Sequence, residues 1–598
     1  MKITWVRRIS QVFFLLLFLW FCLVTTVGEE WWRLRGWPVN WFLQLNPLTA
    51  LGVVLGTGSL PAGLEWSLLV IALTVILGRF FCGWVCPFGT LHQAIGWLGL
   101  RRAAPAEQCL RRAFRPAQRI KYYLLAFLLA AAAGGLLAPA VGRLAGQSAR
   151  LESIREFAAG SLQTGWLDPI SFMHRAVNLV ILPLADRGIH VLWTGARLAQ
   201  GAALIGGLFL AALLVNLWIP RFYCRYVCPL GALYGVLGRF ALWRVGKRQR
   251  DCSNCLKCEA ACEGACQPAG RIRTHECVLC MNCLHACPDD LVGYRLARSA
   301  SGERAAPDLT RRGVIASLLA GFAVAPLGRL AGGRDPRRIR PPGAGPEREF
   351  LTRCLRCGQC MRICPTNILH PALTEAGLEG FGTPVAKFSL GIGGCQLRCA
   401  ACSQICPTGA IRPLTLNEKI GRGAFRERGP VRMGTAFVDR GRCLPWAMNR
   451  PCIVCEENCP VSPKAISIQE IFEPLPGRRR EIARGDELTL FFEGETDAAA
   501  RVSDDLYCRI AGDFDAEPRR IIECGPAQWS IDPNHPWESP PPKGSVAELL
   551  VLLQRPVVDP ERCIGCGVCE SVCPLATVRA IRVTADGESR EARSGFLL

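Results

Sequence analysis

The spacing of cysteine constrains this chain more than any other feature. Four groups follow one another after residue 350. They are Cys354-x2-Cys357-x2-Cys360-x3-Cys364-Pro365, Cys395-x3-Cys399-x2-Cys402-x3-Cys406-Pro407, Cys443-x8-Cys452-x2-Cys455-x3-Cys459-Pro460 and Cys563-x2-Cys566-x2-Cys569-x3-Cys573-Pro574. Three closely spaced thiolates on a tight loop can hold three irons of a cubane. The fourth, followed by proline, opens a helix and reaches a partner cluster, which is the bacterial [4Fe–4S] pattern. Zinc sites use two Cys-x2-Cys knuckles instead of a three-plus-one run ending in proline. A region built this way folds as short loops and helices around clusters, so the expected class is the α+β bacterial ferredoxin type.

The 598 residues allow several domains, and 50% hydrophobic residues beside 60 Gly and 41 Pro place part of the chain in lipid. Of the 33 cysteines most fall into cluster-type groups, which makes them ligands and not bridges. The formal charge of +21 has two sufficient sources, positive-inside loops and the negative charge of all-cysteine cubanes, and no nucleic-acid module accompanies it.

Residues 1–245 read as a membrane α-helical bundle of four spans. Lys2, Arg7 and Arg8 precede an apolar run over 12–27 that lacks a small-residue cleavage site, and residues 29–32 (Glu-Glu-Trp-Trp) read as an interfacial anchor. Further spans are expected over 66–81, 122–141 and 202–219, while 47–60 and 176–184 are too short to cross. The 101–121 loop carries Arg101, Arg102, Arg111, Arg112, Arg115, Arg119 and Lys121 against Glu107 alone, so this loop and the N-terminus are expected in the cytoplasm. An internal repeat sits on the frame: Phe80-Phe81-Cys82-Gly83-Trp84-Val85-Cys86-Pro87 returns as Phe222-Tyr223-Cys224-Arg225-Tyr226-Val227-Cys228-Pro229. On a helix Cys82 and Cys86, and Cys224 and Cys228, would share a face before the proline ends it. These thiols are redox or soft-metal candidates, with structural packing the alternative. The segment 166–175 offers Asp168 and His174 as proton acceptors of a quinol site. None of the seven histidines lies inside a span, Cys-x2-Cys-His is absent, and neither a dinucleotide fingerprint nor a phosphate-binding loop occurs.

Residues 246–300 read as a two-cluster ferredoxin domain: Cys252-x2-Cys255-x2-Cys258-x3-Cys262, then Cys277-x2-Cys280-x2-Cys283-x3-Cys287-Pro288. Cys262 precedes Glu263 where proline is usual, and Cys266 competes with it as fourth ligand. Arg311-Arg312 before an apolar run to about Leu330 resemble a twin-arginine signal, giving a fifth crossing over 309–332, a linker over 333–349 and a four-cluster domain over 350–598. Residues 466–558 are a long insertion with strand-like pieces, in which Cys508 and Cys524 are candidates for a disulfide.

The duplicated Cys-x3-Cys-Pro and the trailing ferredoxin pair resemble NapH, the membrane ferredoxin of periplasmic nitrate reductase systems, and the membrane cores of nitrous oxide reductase regulators and of a cytochrome oxidase assembly ferredoxin. From Thr310 on, the twin arginines and four cysteine groups resemble NapG and its methylamine-utilisation relative. Together the chain looks like a NapH–NapG-type fusion. The resemblance implies a multi-pass protein of the bacterial inner membrane with six [4Fe–4S] clusters. Its first ferredoxin pair would be cytoplasmic and its C-terminal domain periplasmic. It would oxidise quinol from the membrane pool and deliver electrons to a periplasmic reductase or cytochrome. It also implies that group one exchanges its last cysteine with group four, and group two with group three. The alternative reading is a metalloenzyme assembly factor whose Cys-x3-Cys-Pro thiols handle copper or reduce a metal.

Overall fold

A computed structural model describes residues 3–25, 39–145, 161–189, 197–248, 252–296, 298–300, 302–330, 335–494, 506–513 and 516–590. The anchor expected over 29–32 lies outside them. The chain forms two compact units, Met1–Ala386 with Arg398–Gly429, and Lys387–Leu397 with Pro430–Leu598. The boundary falls inside the region 350–598 that was expected to be one domain.

In the first unit, α1 (Ile3–Val24) is apolar almost throughout. It is the one helix among the described residues that is long and apolar enough to cross a membrane, by length and composition. The stretch 47–60 is a buried helix, α2 (Pro47–Thr57): the Asn46 side chain accepts from Leu48 N and Thr49 N, and left-handed Gly58 stops it. The expected spans 66–81 and 202–219 are shorter than drawn, α3 (Trp66–Leu77) and, further along, Ala202–Leu214. Pro87 and Pro229, each at the first helical position, open α4 (Pro87–Leu100) and a later helix (Pro229–Gly238). Between them run α5 (Ile120–Ala145) and α6 (Pro169–Ala176), which continues through a π-helical turn to Ile189. With α7 (Ala202–Leu214) and α8 (Pro229–Gly238), these helices bury one core of Phe, Leu, Tyr and Val side chains.

The twin-arginine segment is α9 (Arg311–Leu330), which packs along α5. A Cβ on Gly321 would stand 2.3 Å from the Phe127 carbonyl oxygen, so only glycine permits this close approach of two backbones. The segment read as a linker is packed where it is described. Arg340 is buried, and its guanidinium binds Glu347, the Thr383 hydroxyl and the Pro384 carbonyl.

The ferredoxin pair joins the bundle beside the two repeats. Its strands Arg244–Lys247 and Val292–Arg295 pair antiparallel, and Tyr294 donates to Leu77 O at 2.7 Å. Arg79 donates to His275 O at 2.5 Å and Trp84 Nε1 to Leu279 O at 3.0 Å. Groups one and two join elsewhere on the bundle. Leu162 N donates to Leu351 O at 3.0 Å, Arg356 Nη1 to Leu162 O at 2.5 Å, and Asn40 Nδ2 to Ile405 O at 2.6 Å.

In the second unit the insertion forms a closed barrel of six antiparallel strands: β1 (Ile466–Gly485), β2 (Thr489–Phe492), β3 (Leu506–Ile510), β4 (Arg519–Cys524), β5 (Gln528–Ile531) and β6 (Val546–Val558). Around the barrel the order is β3-β4-β5-β2-β1-β6, and β6 closes on β3. Alternate residues such as Leu490, Phe492, Trp529 and Ile531 fill the interior. Cys508 and Cys524 are not joined in a disulfide, so the bridge considered above is absent. Burial pushes the Cys508 thiol up to about 12, which keeps it neutral and inert.

Candidate electron-transfer site

Every Cys-x2-Cys-x2-Cys run folds in the same way. The residue just before the second cysteine is left-handed in each (Asn254, Leu279, Arg356, Gly565), and so is the residue just after it (Leu256, Met281, Gly358, Gly567). Left-handed backbone at Leu, Met, Asn and Arg costs roughly 1–3 kcal/mol each and persists only where the surroundings impose it. Alternating such residues turns successive N–H groups to one side and makes a nest for an anion. That is the donor arrangement a negatively charged cluster requires.

The structure then shows which thiols meet. Cys252, Cys255 and Cys258 line a small cavity with Cys287, the last cysteine of the next run. Cys277, Cys280 and Cys283 share their neighbourhood with Cys262. Cys266 lies beside them, its sulfur 3.4 Å from that of Cys262, so both competitors for the fourth position are at hand. In group one Cys354, Cys357 and Cys360 surround a cavity of about 30 Å³ with Cys406 of group two. Another of about 30 Å³ is lined by Cys443, Cys452 and Cys455 of group three with Cys573 of group four. Cys563 and Cys566 have Cys459 as a neighbour.

This arrangement corrects the exchange implied by the resemblance. Group one shares its cradle with group two, and group three with group four. For groups three and four the reason is the barrel, whose strands β1 and β6 run antiparallel from group three back to group four. In group two, Cys399, Cys402 and Cys406 belong to the first unit. Cys395 belongs to the second, where its N–H donates to Cys566 O at 2.7 Å.

Backbone N–H groups reach several sulfurs: Ile411 N to Cys406 at 3.5 Å, Ala436 N to Cys563 at 3.4 Å and Ala580 N to Cys573 at 3.4 Å. Such bonds stabilise thiolate charge and set cluster potential. Three thiols with a fourth across a small cavity, inside a nest of N–H donors, fit a [4Fe–4S] cubane.

The repeated Cys-x3-Cys-Pro motifs are π-helical turns, Phe81–Val85 and Tyr223–Val227, not the regular helix expected from their spacing. Cys86 and Cys228 end these turns in extended backbone and cap α4 and α8. Their sulfurs accept from Gly89 N at 3.3 Å and from Gly231 N at 3.2 Å. Arg79 and Arg221, three residues before each first cysteine, are buried and face the acids that flank the ferredoxin cysteines. Arg221 meets Glu263 at 2.9 Å and Arg79 meets Glu276 at 3.9 Å. Arg7 of α1 completes the Glu263 cluster at 3.0 Å, and Lys121 pairs with Glu276. Burial raises the Glu263 carboxyl, but Arg221 and Arg7 outweigh it and hold the group at about 2.

An apolar cavity of about 360 Å³ lies against α6 and α7, lined among others by Trp166, Phe172, Arg175, Leu208, Tyr223 and Phe381. Asp168 and His174 do not line it. Asp168 caps α6 through Ser171 N at 2.8 Å and accepts from Asn46 at 2.7 Å, while His174 is buried against Phe18 and Cys22. The polar groups that do face the cavity are Arg175, one residue past His174, and Tyr223, one residue before Cys224, whose hydroxyl donates to Leu167 O at 2.5 Å. The segment 166–175, singled out in the sequence for Asp168 and His174, lines the cavity through Trp166, Leu167, Phe172 and Arg175 instead. Sequence reasoning missed Tyr223, because an aromatic beside a cysteine reads as packing.

Comparison with known proteins agrees with this chemistry. A 4Fe-4S binding domain family model matches residues 59–104 and 201–250, a second 4Fe-4S binding domain model matches 556–577, and a 4Fe-4S dicluster domain model matches 276–369. The ferredoxin-type protein NapH of Escherichia coli (strain K12) is 27% identical over 305 residues, covering 48% of this chain and 86% of NapH. The methylamine utilization ferredoxin-type protein MauN of Methylorubrum extorquens is 28% identical over 221 residues, 36% of this chain and 59% of MauN. The regulatory protein NosR of Stutzerimonas stutzeri is 26% identical over 292 residues, 45% of this chain and 34% of NosR. No solved structure matches. Homologues of this chain therefore include ferredoxin-type electron-transport proteins, at about 27% identity.

Proposed function

We propose that this chain is a membrane-bound quinol dehydrogenase that passes electrons through six [4Fe–4S] clusters to a periplasmic reductase or cytochrome. The observation that carries the reading is the apolar cavity, whose wall holds both Tyr223, next to Cys224, and Arg175, which donates to the carbonyl of Arg356, the residue before Cys357 of the group-one cradle, at 3.5 Å. An apolar slot with a few convergent polar groups suits a quinone ring and tail. Each quinol gives up two electrons and two protons. The clusters supply one-electron acceptors, five of them held by Cys252, Cys255, Cys258 and Cys287; by Cys262, Cys277, Cys280 and Cys283; by Cys354, Cys357, Cys360 and Cys406; by Cys443, Cys452, Cys455 and Cys573; and by Cys459, Cys563, Cys566 and Cys569; the sixth draws on the remaining cysteines of groups one and two. Arg175 orients a ring oxygen, Tyr223 gives its proton a first partner, and Trp166, Phe172 and Leu208 exclude water. A belt of exposed apolar side chains on α1, α3, α7 and α9, such as Leu16, Leu69, Leu208 and Leu319, supports a position in the bilayer of a bacterial cytoplasmic membrane. The Arg-rich 101–121 loop supports a cytoplasmic position for the ferredoxin pair, and the Arg311-Arg312 signal supports export of the groups that follow it.

The test is anaerobic addition of a menaquinol or ubiquinol analogue to the purified protein, followed by low-temperature EPR. Cluster reduction should be rapid, and it should fall at least tenfold in Leu204→Trp, which fills the cavity, and in Tyr223→Phe, while dithionite still reduces every cluster. Reduction by dithionite alone would overturn the reading. Stoichiometric copper on the Cys-x3-Cys-Pro thiols would then favour an assembly factor.

A further inference from the structure

The walls of the apolar cavity come from two sources. Helices α6 and α7 and Tyr223 supply one side, while residues 371–373, Phe381 and Gly382, from the segment that follows group one, supply the other. Among the described residues, none that lines it belongs to the ferredoxin pair. Trp166 stands where the two walls meet. Its ring stacks on Phe381, with centroids 5.2 Å apart and planes 22° from parallel. Gly382 makes room for it: this residue is left-handed, with a φ of +74°, and a Cβ there would stand 3.1 Å from the indole. Two guanidiniums lie over the same indole, Arg175 at 5.0 Å from the ring centroid and Arg356 at 5.6 Å.

The two arginines leave a charge unaccounted for. Arg175 is 3% exposed and Arg356 is 1% exposed, and among the described residues neither forms an ion pair with a carboxylate. They bond to backbone carbonyls instead. Arg175 donates to Arg356 O at 3.5 Å and to Trp166 O at 3.2 Å. Arg356 donates to Leu162 O at 2.5 Å, Glu379 O at 2.6 Å and Phe381 O at 3.0 Å. A buried cation is costly without an anion beside it, and two over one ring are costlier. Each faces a place where negative charge would come. Arg356 lies between Cys354 and Cys357, where its left-handed backbone helps build the group-one nest. An all-cysteine cubane held there is an anion, and reduction makes it more negative. Arg175 faces the cavity, where a quinol that loses a proton leaves negative charge on a ring oxygen.

We infer that Arg175, Trp166 and Arg356 form the junction through which electrons leave the cavity, and that the group-one cradle, not the ferredoxin pair, holds the first acceptor. The inference rests on the quinol reading proposed above and adds to it the point of entry and the residues that make it. One quinol loses two protons to water and two electrons to group one, one at a time, the first moving on to a neighbouring cluster before the second arrives. Quinone is the product, and no further reactant is needed. Trp166 fills the space between cavity and cradle with packed atoms, through which an electron tunnels more readily than across a gap. Arg356 acts as a positioning residue: its buried charge favours the reduced state of the centre beside it.

The test uses the full chain purified without oxygen, with a hydroxyquinoline N-oxide as a redox-inactive quinol analogue. In dithionite-reduced protein the analogue should shift the EPR component that Cys354→Ser perturbs and leave the others unmoved. After menaquinol addition and rapid freezing, that component should be the first to appear, and it should appear roughly tenfold more slowly in Trp166→Leu. Arg356→Gln should lower the midpoint potential of that component alone, and Arg356→Lys, which keeps a buried cation, should restore most of it. The shift caused by the analogue needs no variant of the junction, so it stands even where one of these proteins fails to assemble. An analogue that binds and shifts the component perturbed by Cys287→Ser, with that component also reduced first by menaquinol, would overturn the junction and keep the quinol site. An unchanged potential in Arg356→Gln would overturn it as well. No binding of the analogue and no reduction by any quinol would reject the quinol site and the junction with it.

Discussion

At the scale of single residues, buried charge organises this protein. Glu263 follows Cys262, Glu276 precedes Cys277, and each is ringed by cations drawn from α1, α5 and the start of each repeat. Removing one member leaves the others buried without a counter-charge, which costs about 3–5 kcal/mol. Glu263→Gln should therefore lower the temperature at which cluster absorbance is lost by several degrees. Glu107→Gln, whose partner Arg111 sits on the surface, should cost less than about 1 kcal/mol and leave that temperature nearly unchanged. Equal effects in the two variants would show that the buried network contributes nothing special. In the sequence these carboxylates were visible only as departures from pattern: Glu263 stands where proline usually follows the fourth cysteine. That they meet arginines more than a hundred residues away is a property of the fold.

At the scale of elements, the spacing Cys-x3-Cys-Pro did not reveal its backbone. Alpha-helical geometry places residues i and i+4 on one face, yet both copies are π-helical turns that end at the second cysteine. The first turn is held against the ferredoxin pair at Gly83, where a Cβ would stand 2.1 Å from the Val278 carbonyl oxygen. Backbone cannot yield cheaply there. Gly83→Ala should destabilise the docked pair by roughly 1–3 kcal/mol and accelerate hydrogen exchange in both partners. Gly207→Ala in α7 meets nothing within 4 Å and should be neutral or slightly stabilising. If Gly83→Ala behaved like Gly207→Ala, the contact between turn and ferredoxin pair would not form in solution. The barrel was legible only in fragments. Short apolar runs at 487–492, 506–510 and 521–523 read as strands, but closure depends on β1 and β6 pairing across more than sixty residues, which no local pattern encodes.

At the scale of the whole molecule, the pairing of cysteine groups decides how electrons move. With Cys406 in the group-one cradle, Cys406→Ser and Cys354→Ser should perturb the same EPR component, and Cys573→Ser should perturb the component affected by Cys443→Ser. Cys406→Ser and Cys443→Ser acting on one component would restore the exchange that the resemblance implied. The two-unit division follows the same logic: groups three and four, joined by the barrel, fold together, while group one and most of group two belong with the helical bundle.

The sequence by itself determined the chemistry and its repetition. Cysteine spacing and the prolines that follow are local constraints, and a Cys-x2-Cys-x2-Cys-x3-Cys loop of eleven residues needs nothing distant to take its shape. The same local logic located the hydrophobic segments and the duplicated motif. Which fourth cysteine completes which cradle, and that Tyr223 and Arg175 face the cavity while Asp168 and His174 do not, came from the tertiary fold. Each of these depends on which face an element turns inward and on partners far away in sequence. Packing of whole elements fixes both, and spacing along the chain does not.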